Sequence, residues 1–309
     1  MAADPNPEQD PKRYLDPRVL DSIRRLDLRS RLVVEGYVSG MHDSPYRGSS
    51  VEFRQHREYV PGDDIRHVDW KVFAKSDRLY IKEFEEETNL KAHLFLDQSE
   101  SMAYGSERQK FDYAATMAAS LTYLIHQQRD SIGLNLFNEG LLSQLAPSNS
   151  RSQLNSILHA LSDAAPTGKT RIGAILHEMA DRIARKGLII LISDLFDKPD
   201  SILSGLRHLQ HRGHDILLFH VFDRDEVDFP FERMTLFKGM EMLPELLVDP
   251  KSLREAYLKE VRSFEDTMRK GCQAQKIDYQ LVVTDQMLDI VLTTYLAKRA
   301  SLMKGGRRH

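Results

Sequence analysis

The chain has 309 residues, 41% of them hydrophobic and 29% charged, with a formal net charge of −3. That length suits about two ordinary domains, or one large domain with an appendage. The near-even charge argues against nucleic acid as the main partner, because such binders carry a strong basic excess. The single cysteine, Cys272, excludes an internal disulfide and a cysteine-built zinc site, and it fits a reducing, cytoplasmic setting.

In chain order, residues 1–14 open with "MAADPNPEQDP", which has no apolar core for a secretory signal and reads as a disordered lead. Residues 15–36 carry apolar side chains at helical spacing. The stretch 37–88 differs: "VEFRQHREYV" and "RLYIKEFEEE" partly alternate, and a Pro-Gly-Asp-Asp turn signal lies between them at Pro61 to Asp64. This reads as a small β-rich segment. The run "EFEEET" is expected to be a solvated face. Trp70 is the only tryptophan, and its bulk predicts burial in a small core. No H-x-x-x-H pair backs a zinc site, and His56 and His67 read as surface or packing residues.

From residue 89 the pattern becomes regular. "LKAHLFL" predicts a strand, 107–128 a helix, and "SIGLNLF" a second strand that pairs with "GLLSQLA" as a hairpin. "SRSQLNSILHALSDA" predicts a helix capped by Ser150, and "IGAILHEMADRIARK" another. "GLIILIS" is a strand, "DSILSGLRHLQHRG" a helix ended by Gly213, and "DILLFHVF" a strand. No apolar run reaches the roughly 18–20 residues of a membrane helix. Residues 229–249 are irregular, with short strands. A long helix over 252–275, a strand "DYQLVVT" and a last helix over 286–300 complete the order, and 301–309 form a flexible tail. Strands alternating with helices predict a doubly wound, mainly parallel α/β sheet covered on both faces.

Three motifs carry chemistry. "HLFLDQSESM" ends an apolar strand at Asp97 and then sets Ser99 and Ser101 at alternate positions. Ligands of open α/β sheets bind where the carboxyl ends of strands open into loops. A carboxylate with two hydroxyls suits a hard divalent cation such as Mg²⁺ or Mn²⁺. Helix capping is the plainer alternative. "PTGKTRIGAIL" ends like a phosphate-binding loop, but that motif needs glycine at 163, where Asp163 stands, and a preceding strand, where a helix is expected. Thr170 is better read as a hydroxyl at a turn before a helix. "LIILISDLFD" repeats the first geometry: an apolar strand ends in Ser193 and Asp194.

Together these motifs resemble the metal-ion-dependent adhesion site of von Willebrand factor A domains: D-x-S-x-S, then a threonine before a helix, then an aspartate after a later strand. The upstream "GSSVEFRQHREYVPGDDIRHVDWKVFAKSDRLYIKEFEEETN" resembles the signature of the DUF58 family, which couples that segment to an A-type domain. The resemblance runs from about Leu15 to Arg299. It implies a von Willebrand factor A-like, Rossmann-type sheet over 89–300 preceded by an N-terminal segment over 15–88. It also implies a metal held by Asp97, Ser99, Ser101, Thr170 and Asp194, some directly and some through water, with Mg²⁺ foremost and Mn²⁺ or Ca²⁺ as alternatives. An acidic or amide residue commonly follows the threonine, where this chain has Arg171, a cation that weakens metal affinity or favours an acidic partner. The resemblance further implies a non-enzymatic adaptor that works with a MoxR-type AAA+ ATPase and a client protein in complex assembly or maturation. Two other readings stand beside it. A metal-dependent hydrolase or phosphatase would want aspartate where Ser99 stands, or a G-x-S-x-G elbow, which does not occur. A metal-free interaction module would keep the same residues only as caps.

Overall fold

The computed structural model describes residues 13–18, 51–60, 68–76, 78–86, 90–241 and 244–295. The chain divides into two compact units, Val34–Asn89 and the remainder.

In the smaller unit, β1 (Val51–Glu58) and β2 (Tyr80–Glu86) pair antiparallel, with an irregularity between Phe53 and Gln55. Both strands fall where alternation predicts them. Between them lies the short helix α1 (Trp70–Ser76). Asp69 accepts the Val72 N–H at 3.3 Å and so caps this helix. Trp70 is 57% exposed, which corrects the expectation of a buried core tryptophan. It stands at the first position of α1, where its ring and that of Phe73 pack edge to face, at 6.1 Å between centroids. The Pro61–Asp64 turn, the "EFEEET" side chains, His56 and His67 and nearly all of the helix expected over 15–36 lie outside the described residues.

The larger unit is built on six strands: β3 (Lys91–Asp97), β4 (Ser131–Phe137), β5 (Leu141–Ser148), β6 (Leu188–Ser193), β7 (Asp215–Phe222) and, past a short hairpin, β10 (Asp278–Val283). Their order is β10-β7-β6-β3-β4-β5. All neighbours are parallel except β4 and β5, which form the expected hairpin. The inner strands are apolar on both faces because helices cover both. Along β3, Leu94 and Leu96 enter one core while Phe95 enters the other; along β6, Ile190 and Ile192 part from Ile189 and Leu191 in the same way. The edge strand β5 instead alternates half-buried with exposed positions, as a strand with one wet face does. The doubly wound α/β architecture expected from the pattern is the one found.

Helix α2 (Lys110–Gln127) is buried nearly all round, consistent with its Ala-rich sequence, and fills the first core together with α3 (Gln153–Asp163). The second core is covered by α4 (Ile172–Arg182), α5 (Pro199–His211) and α7 (Pro250–Ala274). Gly173 and Gly205 let α4 and α5 touch. A Cβ on Gly173 would lie 2.0 Å from Ser201 Oγ, and one on Gly205 would lie 2.7 Å from Leu176 Cβ. Helix α3 begins at Gln153 with Ser152, not Ser150, at the cap position, and no side chain caps it. Its start is held instead by Gln153, whose Nε2 donates to Ile132 O at 2.8 Å and Ala146 O at 3.0 Å. Residues 229–249 contain the expected short strands, β8 (Thr235–Phe237) and β9 (Leu246–Val248), after a single capped turn, α6 (Arg224–Asp228). A last helix, α8, covers 288–295.

Tyr14, at the end of the stretch read as a disordered lead, is buried, and its hydroxyl donates to Asp112 at 3.2 Å. Cys272 on α7 is fully buried, and burial pushes its thiol pKa up to about 12. Among the described residues, no helix is long and apolar enough to cross a membrane.

Candidate metal centre

After β3 the chain passes to β4 on one side, and later returns to lay β6 on the other. The crevice at such a switch point is where open α/β sheets bind ligands. Asp97 is the last residue of β3 and Ser193 the last of β6, with Asp194 following. The apolar strands carry these polar residues up to the rim and stop there.

A third segment closes the rim. Thr167 N–H donates to Gln98 O and Glu100 N–H to Gly168 O, both at 2.9 Å, so the 165–171 loop is sewn to the loop after β3. Gly168 turns this loop at φ 74°, the left-handed region that glycine enters without strain. The turn delivers Thr170. Arg171, not Thr170, occupies the cap position of α4, so the Thr170 hydroxyl is left for other partners.

The five residues singled out in the sequence meet. All are buried: Asp97, Ser99, Ser101, Thr170 and Asp194. Asp97 Oδ1 accepts the Ser99 N–H at 2.9 Å, and its Oδ2 accepts the hydroxyls of Ser193 at 2.6 Å and Thr170 at 3.4 Å. The Ser99 and Ser101 hydroxyls lie 3.0 Å apart. Asp194 stands differently. Its Oδ2 is paired with the Lys110 ammonium at 2.7 Å, and its Oδ1 accepts the Phe196 N–H at 3.3 Å.

Lys110, Glu226 and Glu241 also face this place, and their sequence context does not announce them. Lys110 Nζ bridges Asp194 and Glu226, at 2.7 Å each. Burial opposes its charge, but the two carboxylates outweigh burial and hold its pKa above the ordinary lysine value. Glu241 arrives from the β8–β9 connection. Its Oε2 accepts the Thr170 N–H at 3.3 Å, while its own N–H donates to Glu100 Oε2 at 2.7 Å. Behind the site, His220 Nε2 lies 3.0 Å from the Asp194 carbonyl, which can only accept, so this nitrogen carries the proton. The Tyr279 hydroxyl then donates to Nδ1 at 2.7 Å. Burial lowers the His220 pKa to about 4 and keeps the ring neutral.

The electrostatics are one-sided. Asp97, Asp194, Glu226 and Glu241 line this region, and the one buried ammonium, Lys110, pairs with two of them, Asp194 and Glu226. Burial first, and the Asp194 charge second, raise the Asp97 pKa above its ordinary value. Burial also raises Glu226 and Glu241. Carboxylates buried in such excess are balanced either by protons or by positive charge beyond that of Lys110. The donor set fits a hard cation. Two hydroxyl oxygens 3.0 Å apart match adjacent ligands of an octahedral ion whose bonds are about 2.1 Å. Among the described residues, no three His, Cys, Asp or Glu side chains gather as a metal cluster; the candidate set is mixed, with two aspartates, Asp97 and Asp194, and three hydroxyls, Ser99, Ser101 and Thr170. Beside the site a cavity of about 380 Å³ is lined by Ser101, Lys110 and Asp194 on one wall and by Phe229, Phe231, Phe237 and Tyr257 on another.

The family described as "Protein of unknown function DUF58" matches residues 55–267. An uncharacterized protein of Mycobacterium tuberculosis is 25% identical over 296 residues, covering 93% of this chain and 92% of that protein. Among solved structures, BatB from Bacteroides thetaiotaomicron is 15% identical with a TM-score of 0.46, covering 69% of this chain and 99% of that one. The VWA domain of SpRpn10 is 12% identical with a TM-score of 0.36, covering 66% of this chain and 94% of that one.

Proposed function

The chain belongs to the DUF58 family, and from that premise we propose that it is a non-enzymatic, metal-dependent binding protein that captures an acidic side chain of a partner protein. The carrying observation is the buried hydroxyl pair of Ser99 and Ser101, 3.0 Å apart, set among carboxylates that outnumber their counter-charge. Asp97, Ser99, Ser101, Thr170 and Asp194 would hold a divalent cation, with Mg²⁺ the first choice and Mn²⁺ or Ca²⁺ the alternatives. When bound, such an ion supplies positive charge to a carboxylate oxygen.

The protein's own residues do the rest. The serines would donate neutral oxygens and add no negative charge of their own to the site. Asp97 fixes the Ser99 backbone by one oxygen and Ser193 by the other. Lys110 anchors Asp194 from behind. Arg171 is exposed beside Thr170 and adds attraction for an acidic partner. Bond-breaking chemistry is less well supported. A serine nucleophile needs a base, yet among the described residues no imidazole bonds Ser99 or Ser101; their hydroxyls face each other.

The partner class follows from family resemblance: a MoxR-type AAA+ ATPase, with a client whose assembly or maturation the pair assists. The test is affinity of the full chain for its cognate ATPase with Mg²⁺, with EDTA, and with Asp97→Ala. Loss of binding under both treatments is the expected result. Binding indifferent to both would overturn the metal-mediated reading.

A further inference from the structure

Glu241 is oddly placed for a loop residue. It is 8% exposed, and its backbone sits in the left-handed region at φ 57°, which a non-glycine residue adopts only when its surroundings hold it there. Two contacts hold it. Its N–H donates to Glu100 Oε2 at 2.7 Å, and its Oε2 accepts the Thr170 N–H at 3.3 Å. Glu100 lies inside the D-Q-S-E-S motif, between the two site serines. Glu241 is therefore latched to the site's own loop, and the latch aims its carboxylate at Ser101 and Thr170. The second oxygen, Oε1, is buried without a hydrogen bond of ordinary geometry, although the Ser101 hydroxyl interacts with the same carboxylate. A buried carboxylate oxygen left bare costs stability unless a cation or a proton meets it.

We propose that Glu241 is an internal ligand of the candidate metal site: it fills the position that a partner's carboxylate would take, and the partner must displace it. This rests on the metal-site reading and adds a gate to it. Glu100 works as the latch, a positioning residue that never touches the ion. The Glu241 carboxylate occupies the site in the resting protein, and an acidic partner segment competes with it for the same coordination position. Binding then becomes a choice between two carboxylates, one tethered and one delivered. Such a gate makes the resting protein poor at capturing stray acidic peptides.

The experiment uses Mn²⁺ alone with the purified full chain. Isothermal titration gives affinity, and water-proton relaxation per bound ion reports how many waters the ion keeps. Glu241→Gln preserves shape and the bond from Thr170 N–H. The expected result is Mn²⁺ affinity lower on the order of tenfold and higher relaxation per bound ion, because water replaces the carboxylate. Glu100→Ala removes the acceptor of the Glu241 N–H but leaves the Glu241 side chain intact, and it should shift relaxation the same way by a smaller amount. Melting curves in EDTA that match wild type show that both variants fold. If Mn²⁺ binds wild type and Asp97→Ala abolishes it, while Glu241→Gln changes neither affinity nor relaxation, the internal-ligand proposal falls and the metal site stands. If wild type binds no Mn²⁺, or Asp97→Ala binds it equally well, the metal-site reading falls and the gate falls with it.

Discussion

Lys110→Met tests the electrostatic core of the site directly. Methionine keeps the length and apolar stem of lysine, so packing along α2 is preserved. What disappears is an ammonium 2.7 Å from both Asp194 and Glu226. The side chains of Lys110 and Asp194 are 2% and 4% exposed, so the abandoned Asp194 charge has little water to turn to. Removing one partner of such a buried pair costs about 3–5 kcal/mol. Glu226 is 23% exposed and regains some solvation, which places the loss near the low end, about 3 kcal/mol. For a domain of this size that lowers Tm by about 6–12 °C. Urea unfolding followed by circular dichroism, in EDTA at pH 7.5, measures it. The double variant Lys110→Met/Asp194→Asn removes the stranded charge and should recover about half of the loss. A single-variant cost under about 1 kcal/mol, or a double variant no more stable than the single, would refute the buried pair.

Three further outcomes are expected. Burial and Asp194 raise the Asp97 pKa, so the folded state holds that proton more tightly than the unfolded chain, and an ionised Asp97 costs stability as pH rises; Asp97→Asn should raise the melting temperature in EDTA at pH 8 and erase any stabilisation by Mg²⁺, and scanning fluorimetry showing the opposite pair of results would contradict this account. Burial, helped by the nearby His214 and Lys91, lowers the His93 pKa from 6.5 to about 4, so the unfolded chain takes up the proton first and stability falls as pH drops through that window; His93→Gln should flatten the decline, and an unchanged slope would exclude His93 as its source. Gly173→Ala should cost about 1–3 kcal/mol by forcing α4 from α5, since its Cβ would lie 2.0 Å from Ser201 Oγ, whereas Gly140→Ala, with nothing within 4 Å, serves as a near-neutral control in the same chemical denaturation series.

Much of the fold was legible because its signals are local. β6 runs through five successive apolar residues before Ser193 and β5 alternates, and those patterns record directly which faces are covered. Asp97, Ser99 and Ser101 were readable for the same reason, since a strand end and alternate spacing need no distant information. Asp194 repeated the pattern, and Thr170 was marked by its turn. What stayed hidden is long-range. Lys110 opens an Ala-rich helix like an ordinary surface lysine, and its partners lie 84 and 116 residues away. Glu241 sits in a stretch without periodicity, and its contacts reach back 71 and 141 residues. Trp70 failed differently: its bulk suggests burial, but the first turn of α1 leaves it 57% exposed. Ser150 failed because Gln153, a poor capping residue by type, anchors its helix through strand carbonyls instead.

Cys272 has a practical consequence. It is the only thiol in the chain, it lies fully buried on α7, and its pKa stands at about 12, so the folded protein offers alkylating reagents almost no thiolate. Labelling can proceed only when α7 lifts from the sheet. The unmodified chain therefore carries its own clock for that opening. The rate at which a maleimide reaches Cys272, read by mass spectrometry, times the breathing of the second core without a fluorophore or an introduced cysteine.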